Sequence, residues 1–166
     1  MDIIRVARDE NVKKVEWVLW HESEIRDALE EAVKSVPMTG GAPSGHAYIS
    51  DRTAAQAIKL ADGVPAVEFY ECARGGRMLK CANGCRQYQK CLRTLDNPAQ
   101  WLTVCGAVFR YCERDPIRRE VFRRRYSHGR TRRAARIAES TYYFVLGEIR
   151  SYALQAAAQV GVIRVF

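Results

Sequence analysis

Apolar residues recur every three or four positions through most of this chain, and no stretch shows sustained alternation of apolar and polar residues. The first spacing places apolar side chains on one face of an α-helix, whereas alternation is the pattern of a half-buried strand. The recurrence predicts one long helix over 9–36. The range 37–50 holds two prolines and three glycines but no Asp, Glu, Lys or Arg, and predicts a loop. We therefore expect an all-α chain.

The remaining helices are predicted from their end signals. Asn97-Pro98 and Asp115-Pro116 each combine a capping residue with a first-turn proline. The second of these helices is expected to end near Tyr126. A short helix is expected over 131–139, with Ser140 as the N-cap of a last helix that Gly161 closes. The middle is expected to be helical as well, with short helices at 54–61 and near Val67 and a longer one over 78–95.

These elements predict two regions. Residues 1–96 form a helical N-terminal region that contains the loop at 37–50, and residues 97–166 form a helix-turn-helix bundle. Acidic residues outnumber basic ones along 1–36. The long N-terminal helix is therefore expected to mediate self-association or contact RNA polymerase rather than bind DNA.

The excess positive charge is confined to one stretch. The chain has 27 Lys and Arg against 19 Asp and Glu, a net charge of +8. The range 110–136 alone holds eleven arginines against three acidic residues, which accounts for the whole excess. The arginine guanidinium group can form two parallel hydrogen bonds to phosphate oxygens or to the edge of a guanine base. A cluster made only of arginine therefore indicates a polyanion partner, while a solvated helical face is the alternative.

Composition also bears on location. No apolar run approaches the roughly 18 residues that a transmembrane helix needs, and residues 1–10 lack the apolar segment of a signal peptide. A cytoplasmic protein without membrane contact is expected. Its six cysteines are then expected to be reduced thiols.

Residues 130–150 have the outline of a helix-turn-helix: a short basic helix, a tight turn, and a longer helix that starts with small and polar residues. The first helix suits a position across the phosphate backbone. Hydroxyl groups and free backbone N–H groups at the start of the second suit phosphates or base edges. An ordinary helical hairpin is the alternative. The predicted DNA-binding residues are Arg118, Arg119, Arg123, Arg124, Arg125, Arg130, Arg132, Arg133, Arg136, Ser140, Thr141, Tyr142 and Tyr143.

Short motifs in the same half resemble a known family. They are Asn97-Pro98 with Trp101-Leu102, Arg124-Arg125-Tyr126 followed by Gly129, Ser140-Thr141-Tyr142-Tyr143, and Val160-Gly161-Val162-Ile163. Together they are similar to the C-terminal half of the ArpU/RinA-type phage transcriptional regulators. The range 50–54 is similar to a Ser-Asp-Pro-Thr-Ala signal in the N-terminal half of that family, with Arg52 in place of the proline.

The resemblance implies a prophage-encoded protein that activates late genes in the cytoplasm of a bacterial host. It also implies a C-terminal half similar to the promoter-reading part of sigma factors. Residues 140–143 would then begin the recognition helix, and 130–136 would belong to the positioning helix.

The other candidate chemistry is weaker. Structural zinc sites usually pair ligands two to four residues apart. Among Cys72, Cys81, Cys85 and Cys91, only Cys81 and Cys85 have that spacing, so these four are weak metal candidates and no cofactor is expected. Cys105 and Cys112 lie on an apolar stripe and are expected to be buried. The histidines have no nearby nucleophile or carboxylate pair, so an enzyme is not expected.

The predicted function is a sequence-specific, DNA-binding transcriptional regulator, an activator of phage late genes, with double-stranded DNA as partner and RNA polymerase and a homo-oligomer as further expected partners. One alternative is a phage terminase small subunit, which binds packaging-site DNA as a ring. Another is a basic protein–protein adaptor that docks on an acidic partner.

Overall fold

A computed structural model describes residues 3–35, 61–72, 90–126 and 136–164. These ranges contain five helices and two strands: α1 (Ile3–Trp20), α2 (Glu22–Ser35), β1 (Ala66–Cys72), β2 (Lys90–Asp96), α3 (Pro98–Glu113), α4 (Pro116–Tyr126) and α5 (Glu139–Val160). The predicted loop at 37–50 and the signal at 50–54 lie outside the described residues. So do most of the predicted helix at 54–61 and the side chains of Cys81, Cys85, Arg130, Arg132 and Arg133.

The prediction of one long N-terminal helix is wrong, because the helix breaks at His21. The apolar periodicity is interrupted at the next residue, Glu22. The break lets the two halves pack on different neighbours: α1 packs against α5, and α2 packs against α3 and β1. A straight helix would present a single face to all of them.

Buried polar groups fix this break to the sheet. The His21 side chain is fully buried, and its Nδ1 lies 2.9 Å from the backbone oxygen of Trp17. Its Nε2 lies 3.1 Å from Oε2 of Glu71 on β1. The same carboxylate accepts a 3.0 Å hydrogen bond from the Trp17 indole N–H and forms an ion pair with Arg93 on β2. We call these four residues the Glu71 network; it supplies the partners that a buried charge requires.

The expectation of an all-α chain is only partly confirmed: the short helix expected near Val67 and residues 90–95 of the helix expected over 78–95 are strands instead, while residues 73–89 lie outside the described ranges. The fold is mostly helical, but β1 and β2 pair as a two-stranded antiparallel sheet, with Val67 opposite Leu95 and Tyr70 opposite Leu92. Val67, Phe69 and Glu71 point inward, while Glu68 and Tyr70 point outward. The apolar residue Tyr70 therefore occupies an outward position, and this obscured the alternation of apolar and polar residues that identifies a strand.

The end signals of the C-terminal helices are confirmed. Pro98 is in the first turn of α3, although Asn97 caps it with a left-handed backbone (φ 54°) and without a side-chain hydrogen bond. Oδ1 of Asp115 accepts hydrogen bonds from the backbone N–H groups of Ile117 (2.9 Å) and Arg118 (2.8 Å). Gly161 ends α5 at a φ of 84°, a conformation in which glycine avoids steric strain.

The start of α5 differs from the prediction. The helix begins at Glu139, and the residue at the N-cap is Ala138, with an extended backbone. Ser140 is therefore in the first turn. Glu139 supplies a negative charge near the N-terminal N–H groups, which favours an earlier start. Residues 136–138 are not helical, so the predicted helix over 131–139 is wrong for these three; residues 131–135 are outside the described ranges.

One hydrophobic core runs through the described residues. It joins Val18 and Ile25 of the N-terminal helices to Phe69 of the sheet and to Trp101 and Ile149 of the C-terminal helices. The two regions predicted to divide at 96/97 thus share this core. No helix in the described ranges is long and apolar enough to cross a membrane.

Candidate nucleic-acid interface

The arginine-rich helix α4 lies against α5. Nε of Arg118 in the first turn of α4 is 3.9 Å from a carboxylate oxygen of Glu148. In the last turn of α4, Arg125 shares the Glu16 carboxylate with Arg150 of α5. Burial acts to lower the pKa of Arg125, but Glu16 raises it above its usual value, and Tyr142 in the first turn of α5 contributes to raising it. Arg125, one of three arginines in the C-terminal turn of α4 with Arg123 and Arg124, therefore links that turn to the first turn of α5. We call these two turns together the α4–α5 end.

Four of the predicted DNA-binding arginines have carboxylate partners within the chain. Arg118 pairs with Glu148, Arg119 with Glu113 at 3.7 Å, Arg124 with Glu120 at 2.9 Å, and Arg125 with Glu16 at 3.4 Å. These partners lower the positive charge that solvent experiences along α4. By contrast, Arg123 and Arg136 are exposed and form no ion pair with any described residue.

Arg118 is further held by an aromatic stack. Its guanidinium lies 4.4 Å from the centre of the Tyr111 ring, and that ring stacks on Tyr152 of α5 at 4.1 Å. A cation above an aromatic face is attracted by the ring's negative face. Arg118 thus ties α3, α4 and α5 together, and its side chain is only partly exposed.

Glu16 on α1 is the centre of a second set of contacts. Its Oε1 accepts hydrogen bonds from Nε (3.0 Å) and Nη2 (2.9 Å) of Arg150, from Nε of Arg125 (3.4 Å) and from the hydroxyl of Tyr126 (3.1 Å). Burial acts to raise the pKa of the Glu16 carboxyl, but Arg150, Arg125 and Tyr126 outweigh it and hold the pKa below its usual value. The same contacts fasten α1 to α4 and α5. The sequence pattern did not single out Glu16, because its partners are more than 100 positions away.

The predicted residues in the first turn of α5 differ in exposure. Ser140 is exposed and Tyr143 is 61% exposed, whereas Thr141 and Tyr142 are half-buried. The Tyr142 and Tyr143 rings meet edge to face, with centres 5.4 Å apart. Tyr142 thus packs partly against the protein. Ser140 and Tyr143 are the members of this set most accessible to a partner.

Phe144 is a surface residue that the sequence prediction missed. It is 69% exposed, more than any other large apolar residue in the described ranges. The sequence could have revealed this exposure, because Phe144 lies outside the apolar stripe of α5. The buried members of that stripe include Val145, Leu146 and Ile149. An aromatic residue outside the buried face of its helix faces solvent unless another element covers it.

The described cysteines do not form a ligand set. Cys72 and Cys91 are on paired strands, but Cys91 is opposite Glu71 rather than Cys72. No group of three or more His, Cys, Asp or Glu able to hold a metal ion occurs among the described residues. Cys105 and Cys112 are buried, as expected, and burial raises the pKa of each thiol to about 12. Both are therefore unreactive as thiolates at neutral pH.

The α4–α5 end carries Arg123, which is exposed and forms no ion pair with a described residue, together with an exposed helix N-terminus that bears the hydroxyl groups of Ser140 and Tyr143 and the rings of Tyr143 and Phe144. Such a surface can bind a polyanion through charge and through direct contacts. Comparison with protein-family models, with curated proteins and with solved structures found no match for this chain.

Proposed function

We propose that this chain is a sequence-specific DNA-binding transcriptional regulator that binds duplex DNA with the α4–α5 end. The observation that carries the proposal is the cluster of three arginines in the last turn of α4, of which Arg125 is joined to α5 through the Glu16 carboxylate that it shares with Arg150. A helix N-terminus flanked by arginines suits a duplex, because phosphates accept from both while the helix reaches the base edges.

The arginines would supply the part of the affinity that does not depend on sequence. Arg123 and Arg136 are free to bind phosphate without breaking an ion pair to any described residue. The pair between Arg124 and Glu120 is partly exposed. Exposed ion pairs contribute only about 0–1 kcal/mol, so a phosphate can replace such a carboxylate at low cost.

The first turn of α5 would supply contacts to DNA at defined positions. Its backbone N–H groups have no side-chain cap, because Ala138 occupies the N-cap. They are therefore available to a phosphate oxygen. The hydroxyl groups of Ser140 and Tyr143 are exposed and can donate to phosphates or base edges.

The resemblance to the ArpU/RinA-type regulators extends the proposal to the activation of phage late genes. In this reading RNA polymerase, or a second copy of the chain, would contact the N-terminal helices. Deletion of α1 is a poor test of that role, since Glu16 joins α1 to α4 and α5. Substitutions at exposed α2 positions such as Asp27 and Glu30 are better suited.

Binding to DNA from around the chain's own gene, compared with a shuffled duplex of the same length across a salt series, tests the proposal. We expect affinity for one region to exceed that for the shuffled duplex by ~10³-fold or more. We also expect both affinities to fall as salt rises, because bound arginines release counterions.

Two other outcomes would contradict the proposal. Equal, salt-sensitive binding to both duplexes would mean that the arginines bind phosphates and that the chain does not recognise a DNA sequence. Mass in solution would then separate the alternatives, since a closed ring favours a terminase small subunit and a monomer or dimer favours an adaptor for an acidic protein. Absence of DNA binding at low salt would exclude the first of these alternatives too.

A further inference from the structure

The exposed side of α5 carries one large apolar side chain among small uncharged ones. Ser140, Phe144, Gly147 and Ser151 are spaced four, three and four residues apart, so they share one face of the helix. Phe144 is 69% exposed, and Ser140 and Ser151 are exposed as well. The neighbouring Tyr143 is 61% exposed too, and aromatic side chains are enriched where a protein surface contacts a partner.

Charge complementarity indicates which partner this face fits. Arg136, exposed and without an ion pair to a described residue, lies three residues before the first residue of α5, and the equally exposed Arg123 is in the arginine-rich last turn of α4. Glu148, one turn from Phe144 on the same side of the helix, is 38% exposed, and its charge is offset by Arg118 at 3.9 Å. A polyanion would be held by the arginines at the edge, while its uncharged groups meet the helix face.

The major groove of duplex DNA has this combination of groups. It admits an α-helix between two rows of phosphates, and the C5-methyl group of thymine is the apolar group that base pairs present there. We propose that Phe144 contacts a thymine methyl group in the major groove and so determines specificity at that base pair. This inference rests on the proposed function and adds a specificity-determining residue to it.

The probe is a set of short duplexes selected from a random-sequence library by the full-length wild-type chain. The best duplex is then compared with a copy in which every thymine is replaced by deoxyuridine. This replacement removes the methyl groups and keeps the base pairing. Affinities are measured for the wild type, for Phe144→Ala, and for Phe109→Ala as a matched control. Phe109 is an exposed phenylalanine on α3, 52% exposed, and its ring meets Phe122 edge to face.

We expect the wild type and Phe109→Ala to lose about fourfold in affinity for each methyl group that Phe144 contacts, the effect of burying one such group. Phe144→Ala should bind the thymine duplex more weakly and should bind both duplexes equally. Thermal unfolding checks that both variants fold, which is expected because both rings are largely exposed.

Each remaining outcome overturns the inference. A wild type indifferent to deoxyuridine, or a Phe144→Ala variant that keeps the full sensitivity, excludes the methyl contact while leaving sequence-specific binding intact. If selection enriches no duplex over the starting library, the proposed function fails, and the inference fails with it.

Discussion

Two regions of the molecule differ in whether their charged side chains are buried and paired or exposed and unpaired. At the junction of α1, α2 and the sheet, Glu71 is buried and in contact with His21, Trp17 and Arg93. At the α4–α5 end Arg123 is exposed without an ion pair to any described residue, and so is Arg136 just before α5. A buried charge must have its partners within the fold, whereas an exposed charge stays available to another molecule. The first region therefore determines stability, and the second is suited to binding.

The largest effect is expected at the buried charge. Glu71→Ala should lower the free energy of unfolding by about 2–4 kcal/mol, because it leaves the Trp17 indole N–H without its acceptor and removes most of a fully buried side chain. Glu68→Ala, at an exposed position on the same strand, is the control and should change it by no more than about 0.5 kcal/mol. Urea denaturation measures both. Similar losses in the two variants would show that Glu71 is not a structural centre.

A smaller effect is expected at Glu16, where a partly exposed carboxylate joins the N-terminal helix to the arginines of α4 and α5. Glu16→Gln should lower the free energy of unfolding by about 1–3 kcal/mol at neutral pH, since it removes the negative charge that strengthens the hydrogen bonds from Arg150 and Arg125. The folded-state pKa of Glu16 lies below its ordinary value of 4.5. Its contribution is therefore complete above about pH 4.5 and is lost as the pH falls through the folded-state value.

Unfolding free energies of the wild type and Glu16→Gln, measured from neutral pH down to the acid range, check this dependence. The difference between the two proteins should shrink below about pH 4.5. A difference that stays constant throughout that range would mean that the carboxylate charge contributes nothing.

The smallest effect separates stability from binding at one residue. A Cβ added at Gly147 would meet nothing within 4 Å, so Gly147→Ala should stabilise the free protein by up to about 1 kcal/mol. The same methyl group would stand between α5 and a bound duplex, and we expect weaker DNA binding. Gly106→Ala on α3 is the matched control, since its Cβ would make only an ordinary 3.5 Å contact with Arg110.

Thermal unfolding and DNA affinity of these two glycine variants are measured together. We expect both to be stabilised and Gly147→Ala alone to lose affinity. If Gly147→Ala gains stability and binds DNA as tightly as the wild type, the exposed face of α5 does not approach the duplex.

The C-terminal helices were predictable because their signals are local. Asn97-Pro98, Asp115-Pro116 and Gly161 each act on the turn that they begin or end, and the structure has helix boundaries at all three. The start of α5 was misplaced by one turn at most, since Ser140 and Glu139 are both good first-turn residues and only the backbone of Ala138 decides between them.

The break at His21 and the sheet were not predictable in the same way, because both depend on distant partners. The Trp17 indole meets Glu71 across 54 positions of sequence. Tyr70 and Leu92 are apolar residues paired on the exposed face of the sheet, and they hide the alternation that identifies strands. Likewise, the sequence shows how many arginines the basic stretch contains, but not which of them have a carboxylate partner, as Arg125 has in Glu16.

The salt dependence of DNA binding by Arg123→Ala, compared with Arg114→Ala, tests most directly whether the α4–α5 end is the DNA-binding surface. Both arginines are exposed and without an ion pair to any described residue, but Arg114 precedes α4 at its opposite end. We expect Arg123→Ala to bind more weakly and to reduce the slope of log affinity against log salt by about 1, while Arg114→Ala keeps the wild-type slope. Equal slopes for both variants, or a larger loss for Arg114→Ala, would contradict the account.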